Sequence, residues 1–160
     1  MKNDDVLNRI RQTLRAAEIP FREVEHAPTA TSEESARARG EPLGVGAKAL
    51  LLRVAETFCL FVLPANCKLD SAAVKAHFGV KKLRFATPEE LMELTGLVPG
   101  SVPPFGEPIL PFKLFADVSV GAVHGRVAFN AGSLTNSIVM PAIAWIAVAQ
   151  PERFAFARLG

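Results

Sequence analysis

Cysteine is scarce in this chain, since Cys59 and Cys67 are the only two among 160 residues. Two thiols without histidines at ligand spacing form neither a zinc site nor a disulfide framework, so we expect no metal. Cys59 lies in an apolar run and is expected to fill the core. Because no disulfide framework and no amino-terminal apolar signal segment are recognisable, the expected location is the reducing cytoplasm.

Strong net charge and long apolar runs are lacking as well. The chain has 18 basic and 16 acidic residues, which leaves a formal net charge of +2. This charge gives no argument for DNA or another extended nucleic acid as a partner, and it is compatible with contacts to a few phosphates. No run of 18 apolar residues occurs, so we expect no membrane span and no membrane partner.

The chain does have enough apolar sequence for one globular domain. Hydrophobic residues make up 49% of the sequence, and a chain of this length buries about 68–70% of its unfolded surface. We therefore expect residues 1–160 to form a single domain.

Sequence periodicity predicts an alternation of helices and strands. The predicted helices are 4–17, 31–39, 71–77, 88–95 and one that Pro141 opens, and the predicted strands are 21–26, 47–55, 58–64, 82–86, 113–120, 125–130, 136–140 and 153–158. Strands paired as hairpins between scattered helices indicate an α+β fold with a mixed, mostly antiparallel sheet.

A loop rich in glycine and proline follows the fourth predicted helix. Five of the chain's 12 prolines lie between positions 99 and 111. Glycine lets a backbone approach a ligand closely, and proline stiffens a loop before binding. Gly100, Ser101 and Val102 can donate N–H groups to an oxyanion, whereas Pro103 and Pro104 cannot. The alternative is a proline-rich connection at the surface.

Three segments in a fixed order carry a resemblance to a known family. They are GAKALLL at 46–52, GLVPGSVPPFG at 96–106, and FNAGS at 129–133 followed by a strand over 137–140. The stretches HAPTA at 26–30 and EESA at 33–36 fit the same set. Together they resemble the YbaK / prolyl-tRNA synthetase editing-domain family, over about residues 5–155.

The resemblance implies a curved mixed sheet with surrounding helices and one groove. It also implies an activity, hydrolysis of the ester that joins a wrong amino acid to the terminal adenosine of a tRNA. Family members remove cysteine or alanine from proline tRNA, or serine or threonine from other tRNAs, and some stand apart from any synthetase. We therefore expect a freestanding, trans-editing deacylase for the Ala, Cys, Ser or Thr class, acting most of all on tRNA-Pro. Its expected partner is the acceptor end of aminoacyl-tRNA, with an aminoacyl-tRNA synthetase as a further candidate.

Lys48 is the first candidate catalytic residue. An ammonium at a strand edge can fix a phosphate or the ester end of a charged substrate. A lysine there can also serve only to keep an edge strand from pairing with another chain. The resemblance favours the catalytic role, together with the turn at Gly100, Ser101 and Val102.

The substrate-binding candidates come from other parts of the same segments. Asn130, Gly132 and Ser133 form a small polar turn, which can line the amino-acid pocket, hold the terminal ribose or be an ordinary turn. Some alanine-clearing relatives carry a histidine in this stretch, and Phe129-Asn130 stands there instead, so the amino-acid target stays open. The other candidates are His26, Thr29, Pro103 and Phe105.

A conventional catalytic set is missing from the sequence. No Ser-His-Asp or Cys-His arrangement and no metal cluster can be picked out, and no cofactor is expected. Asp117 is interpreted as a surface charge, and His77 as a cation at a helix end. The missing base suggests that a water attacks the ester, oriented by the neighbouring ribose hydroxyl of the substrate. Two alternatives stay open: a non-catalytic RNA-binding or regulatory module on the same fold, and an interaction domain whose proline-rich loop docks a partner.

Overall fold

The structure is a computed structural model that describes the backbone of residues 3–160 and the side chains of residues 5–160. Within this range the α-helices are α1 Asn3–Ala16, α2 Ser32–Arg39, α3 Ser71–Phe78, α4 Pro88–Thr95 and α5 Ala142–Ala149. The strands are β1 Arg22–Glu25, β2 Ala47–Val54, β3 Thr57–Pro64, β4 Cys67–Leu69, β5 Leu83–Phe85, β6 Leu114–Asp117, β7 Arg126–Asn130, β8 Asn136–Pro141, β9 Glu152–Phe154 and β10 Ala157–Leu159.

Local signals in the sequence set the ends of the helices. Thr87 and Glu90 form a capping box at the start of α4, with Pro88 in the first turn, and Gly96 ends this helix with φ 74°. The side chain of Thr31 caps α2 in the same way by accepting a hydrogen bond from the N–H of Glu34. The predicted boundaries of these helices therefore agree with the structure to within a residue or two.

The strands form three sheets. The largest has the order β5-β2-β3-β6-β9, in which β3–β6 and β6–β9 are parallel and the other neighbours antiparallel. The second has the order β1-β8-β7, and the third pairs β4 with β10, all antiparallel. A parallel bridge between Gly46 and Ala128 connects the first two sheets beside the start of β2. The predicted α+β class with mixed, mostly antiparallel pairing is confirmed, although the strands are distributed over three sheets.

The carboxyl-terminal segment differs from the sequence prediction of one strand over 153–158. The N–H groups of Phe156 and Ala157 donate to Asp117 Oδ1 at 2.7 and 2.8 Å, and the Phe156 side chain is buried. The chain therefore leaves the first sheet after β9 and pairs again as β10 with β4, a short strand that the sequence did not predict.

Asp117 is consequently a buried structural residue, which corrects its interpretation as a surface charge. Its side chain is 3% exposed, and Ser119 also donates to it through both its N–H and its hydroxyl group. Burial by itself would raise the pKa of this carboxyl, but the hydrogen bonds from Ser119, Phe156 and Ala157 outweigh burial and lower the pKa.

Two large apolar clusters and a small one of Val45, Ala128 and Val139 fill the described part of the molecule. Of the two large clusters, the larger joins α1, α4 and α5 to the strands, and the other lies under α3 around Phe61 and Phe115, whose rings stack at 5.2 Å. The proline-rich loop belongs to the larger cluster, because Phe105 is 2% exposed and Trp145 Nε1 donates to the carbonyl oxygen of Pro104 at 2.9 Å. The hydrogen bond from Trp145 thereby holds the loop against α5. Among the described helices none is long and apolar enough to cross a membrane.

Candidate active site

One groove contains residues from all the segments that the sequence analysis singled out. It has a volume of about 190 Å³ and lies between the start of α2, the start of β2, the Gly100 turn and the end of β7. Its chemically informative lining residues are Thr29, Thr31, Ser32, Ser35, Arg39, Lys48, Gly100, Val102 and Asn130. Lys48 and the turn after residue 99 therefore line the same groove.

Lys48 enters the groove from the second position of β2. Its side chain is half-buried, and it has no hydrogen-bond or ion-pair partner among the described residues. Burial lowers the pKa of Lys48, and the charges of Cys67 and Glu33 oppose that change in part. A cation that is held without a counterion in a groove is ready to bind an anionic or strongly polar ligand.

The turn at residues 100–102 presents two free N–H donors. Gly100 adopts φ 89°, a conformation that favours glycine, and its N–H and that of Val102 have no hydrogen-bond partner among the described residues. Ser101 differs, because it is fully buried and its N–H donates to the carbonyl oxygen of Val98 at 3.1 Å. Of the three predicted donors, the structure therefore leaves Gly100 and Val102 available and gives Ser101 a structural position.

The end of β7 fixes this turn through two hydrogen bonds. Asn130 Nδ2 donates to the carbonyl oxygen of Gly100 at 2.8 Å, and the N–H of Gly132 donates to the carbonyl oxygen of Ser101 at 2.9 Å. Since the carbonyl and the N–H of one trans peptide point in opposite directions, the bond from Gly132 also sets the direction of the Val102 N–H. Asn130 and Gly132 thus position the turn, and Asn130 in addition lines the groove.

Arg39 is a groove residue that the sequence analysis did not identify. It is 8% exposed, and it donates from Nε to Ser137 Oγ at 2.9 Å and from Nη2 to Asn130 Oδ1 at 3.1 Å. No carboxylate of the described chain lies within ion-pair distance of it, and burial lowers its pKa to about 10, with a smaller opposing effect of Glu41. A cation in the last turn of a helix ordinarily indicates only an interaction with the helix dipole.

A sequence signal for Arg39 exists in retrospect. Arg39 lies four positions after Ser35 and three positions after Ala36. Ser35 and Ala36 are the other two buried residues of α2. Residues at this spacing share one face of a helix, so an arginine on a face of small residues indicates a buried cation.

His26 and Ser133 lie next to the groove without lining it. His26 Nε2 is 2.8 Å from Ser137 Oγ, so this histidine supports the Arg39 and Asn130 contacts from behind. The Ser133 hydroxyl is bonded within its own turn to Thr135 and Asn136. Thr29 does line the groove, and its hydroxyl is 2.7 Å from that of Ser35.

Pro103 and Phe105 lie away from the groove, although the sequence analysis named them as substrate-binding candidates. Both are buried, and the ring of Phe105 packs edge-on against Phe129 with centroids 5.6 Å apart. Phe105 thereby belongs to the core that supports the turn.

The chemistry available in this groove is polar and cationic. Hydroxyl groups, two cations, one amide and two free backbone N–H groups line it, whereas no Asp, Glu, His or Cys of the described chain does so. Such a site can bind a carbonyl oxygen or a phosphate and stabilise an oxyanion, but it offers no ordinary general base or protein nucleophile.

Comparisons with known proteins agree with this chemistry. The model of the aminoacyl-tRNA editing domain matches residues 26–145. The chain is 36% identical over 143 residues to the multifunctional Ser/Thr-tRNA deacylase ProXp-y of Escherichia coli (strain K12), covering 86% of this chain and 84% of that protein. It is 33% identical over 110 residues to the proline–tRNA ligase of Thermotoga sp. (strain RQ2), covering 69% of this chain and 18% of the ligase.

A solved structure extends the similarity to the whole fold. A protein provisionally assigned as a trans-editing enzyme for prolyl tRNA synthetase superposes with a TM-score of 0.81 at 25% identity, covering 96% of this chain and 97% of that one. The predicted relationship and the predicted enzyme class are confirmed by these matches. The chain belongs to the aminoacyl-tRNA editing domain family, whose members are hydrolases that act on aminoacyl-tRNA.

Proposed function

We propose that this protein hydrolyses the ester of a mischarged small amino acid on tRNA, acting in trans in the cytoplasm. Serine and threonine are the favoured targets within the Ala, Cys, Ser and Thr class, and tRNA-Pro is a favoured carrier. The observation that carries the proposal is that Lys48 lies in the same groove as the N–H groups of Gly100 and Val102, and that all three lack a partner in the part of the chain that the structure describes.

The groove supports a mechanism in which the protein positions the substrate and stabilises charge. A water attacks the ester carbonyl carbon, and the N–H groups of Gly100 and Val102 bind the oxyanion that forms; one such donor contributes about 10²–10³ in rate. Lys48 holds the ester end of the terminal nucleotide. The bond from the carbonyl carbon to the ribose oxygen then breaks, and the ribose oxygen takes up a proton, which releases the free amino acid and intact tRNA.

The substrate's own ribose hydroxyl orients the attacking water in this mechanism. Support comes from the lining of the groove, which contains no carboxylate, imidazole or thiol of the described chain. A substrate that carries the ester on the 3′ oxygen and lacks the 2′ hydroxyl tests the point. We expect its hydrolysis to be slowed strongly, and hydrolysis at the normal rate would disprove this part of the mechanism.

The preference for serine and threonine is supported by a wall of hydroxyl groups at the start of α2. Thr29, Ser32 and Ser35 line the groove there, and the Ser32 hydroxyl has no hydrogen-bond partner among the described residues. A site that binds a substrate hydroxyl discriminates strongly against an analogue without one. The name of the similar Escherichia coli protein points to the same two amino acids.

A panel of mischarged tRNAs tests the proposal. Ser-, Thr-, Ala- and Cys-tRNAs, including alanyl- and cysteinyl-tRNA-Pro, are incubated with the protein, and release of the amino acid is followed. We expect release to be fastest for Ser- and Thr-tRNA and to be lost in Lys48→Ala. The matched control is Lys113→Ala, which removes an exposed lysine outside the groove and should leave release unchanged. Binding of these tRNAs without release would instead indicate a non-catalytic RNA-binding module.

A further inference from the structure

A second depression continues the groove on the far side of the Gly100 turn. It has a volume of about 150 Å³ and shares Ala49, Leu50, Gly100 and Val102 with the groove. Its remaining walls are almost entirely apolar and include Phe85, Pro88 and Pro99. A substrate whose ester lies at the Gly100 turn can therefore extend directly into this depression.

Phe85 is the exposed aromatic residue of the depression. Its side chain is 56% exposed at the end of the edge strand β5, and no aromatic ring or cation of the described chain packs against it. An exposed aromatic side chain in a soluble domain is most informative when it stands beside a binding groove. Since every nucleobase has a flat π-face, such a ring is a suitable platform for the unpaired end of an RNA.

The edge of β2 beside Phe85 is also uncovered. Strand β5 pairs only with Leu52–Val54, and β7 bridges only to Gly46 before β2. Among the described residues, the part of β2 between these two pairings has no strand partner on that side, apart from the hydrogen bond from Ala86 N–H to the Leu51 carbonyl oxygen. The depression runs along this free edge. Backbone donors and acceptors at such an edge can bind the polar rim of a base while its face stacks on the ring.

A separate basic surface lies farther along β2 and β5, beyond Phe85. Arg53 and Arg84 stand directly opposite each other on β2 and β5, an arrangement of like charges that is unfavourable without an anion. Arg84 is matched by Glu90 at 2.8 Å, but Arg53 Nε is buried without a hydrogen-bond partner among the described residues. Lys82 lines the same surface. This surface is complementary to the phosphates that precede a terminal nucleotide.

We propose that the depression beside Gly100 binds the base of the terminal nucleotide of the substrate RNA, stacked on Phe85. The inference rests on the proposed function, because the ester in the groove fixes where the attached nucleotide must lie. Pro88 and Pro99 provide the rigid opposite walls of this base site, and the basic surface of Arg53 and Lys82 receives the backbone that leads to it.

Steady-state hydrolysis of Ser-tRNA by Phe85→Ala is the first test. We expect kcat/KM to fall about 5- to 100-fold, the range that corresponds to the loss of one base–aromatic stack. Phe85→Trp should restore most of the loss, since it retains an aromatic face. Ile143→Ala, which truncates a 79% exposed side chain on α5, is the matched control and should match the wild type. A Phe85→Ala protein with unchanged kcat/KM would overturn the proposal.

Fluorescence of a base analogue provides the second test and does not depend on hydrolysis. The probe is an RNA minihelix with 2-aminopurine in place of the terminal adenine and serine joined by an amide bond. We expect the wild type and Ile143→Ala to quench its fluorescence by stacking, and Phe85→Ala to bind without quenching. Equal quenching by Phe85→Ala would refute the base site. Retained hydrolysis by Lys48→Ala would refute the proposed catalytic site instead, so the two failures are distinguishable.

Discussion

Asn130 Nδ2 donates to the carbonyl oxygen of Gly100 at 2.8 Å, while Asn130 Oδ1 accepts from Arg39. This pair of contacts fixes which way the amide is turned, because a guanidinium can only donate. A buried cation on α2 therefore determines the donor that holds the Gly100 turn, and the turn carries the N–H groups of the proposed oxyanion site.

Asn130→Asp separates the two contacts of this amide. The carboxylate can still accept from Arg39 but cannot donate to the Gly100 carbonyl oxygen, which it would repel. We expect kcat for Ser-tRNA to fall by up to about 10²-fold, as for other small misplacements of catalytic groups, while the free energy of unfolding in urea is kept or increased. A fully active Asn130→Asp protein would show that this hydrogen bond does not position the turn.

Arg39→Lys keeps the positive charge and removes the planar fork that reaches Ser137 and Asn130 together. Because a lysine cannot reproduce this geometry, we expect kcat to fall while KM changes little. Arg37→Lys, on the exposed face of the same helix, is the control and should behave as the wild type. If Arg39 instead bound the substrate directly and equally in the ground and transition states, KM would rise with kcat unchanged.

Gly100→Ala tests the backbone conformation of the turn. An added Cβ would meet only ordinary contact with Leu134 at 3.5 Å, so the cost comes from φ 89° and amounts to about 1–2 kcal/mol. Gly79→Ala, at φ 65° with open space around it, should cost a similar free energy of unfolding. We expect only Gly100→Ala to reduce the rate of deacylation. Equal activity of the two variants would remove the turn from the mechanism.

Lys48→Met should raise stability while it abolishes activity. Burial lowers the pKa of Lys48, so the folded protein binds this proton less tightly than the unfolded chain does. At neutral pH Lys48 is charged in both states, so the free-energy cost of burying its charge is fully present. The free energy of unfolding increases only as the pH rises from the lowered pKa of Lys48 in the folded protein to the pKa of a free lysine, about 10.4. We expect Tm at pH 7 to increase in Lys48→Met. A decrease would favour a structural lysine.

Asp117→Ala should destabilise the fold without any direct contact with the groove. It removes the acceptor of the N–H groups of Phe156, which is buried, and of Ala157, which is half-buried. Each buried group that stays unsatisfied costs about 1–3 kcal/mol. The pKa of Asp117 is lowered in the folded protein, which increases the free energy of unfolding. This contribution is fully present above the pKa of an unfolded aspartate, about 3.9, and is lost as the pH falls to the lower pKa of the folded protein. Urea unfolding at pH 7 and pH 3 should therefore show a smaller difference for Asp117→Ala than for the wild type.

Local sequence was sufficient for most of the elements. The α4 capping box, the left-handed Gly96 and the two apolar runs of the β2–β3 hairpin each act over a few residues. Their boundaries could be read because the interactions that set them lie close together along the chain. The ordered segments around Lys48, Gly100 and Asn130 identified the family for the same reason.

Tertiary structure alone decided the roles of Arg39 and Asp117. Their partners lie far along the chain: Arg39 contacts Asn130 and Ser137, and Asp117 contacts residues 156 and 157. Whether such a charge is exposed, or buried and bonded, depends on which strands return beside it. The sequence by itself therefore determined the helices, most of the strands and the family. Only the packing of distant strands decided which polar groups are satisfied and which remain free to bind a substrate, because desolvation is a property of the assembled fold.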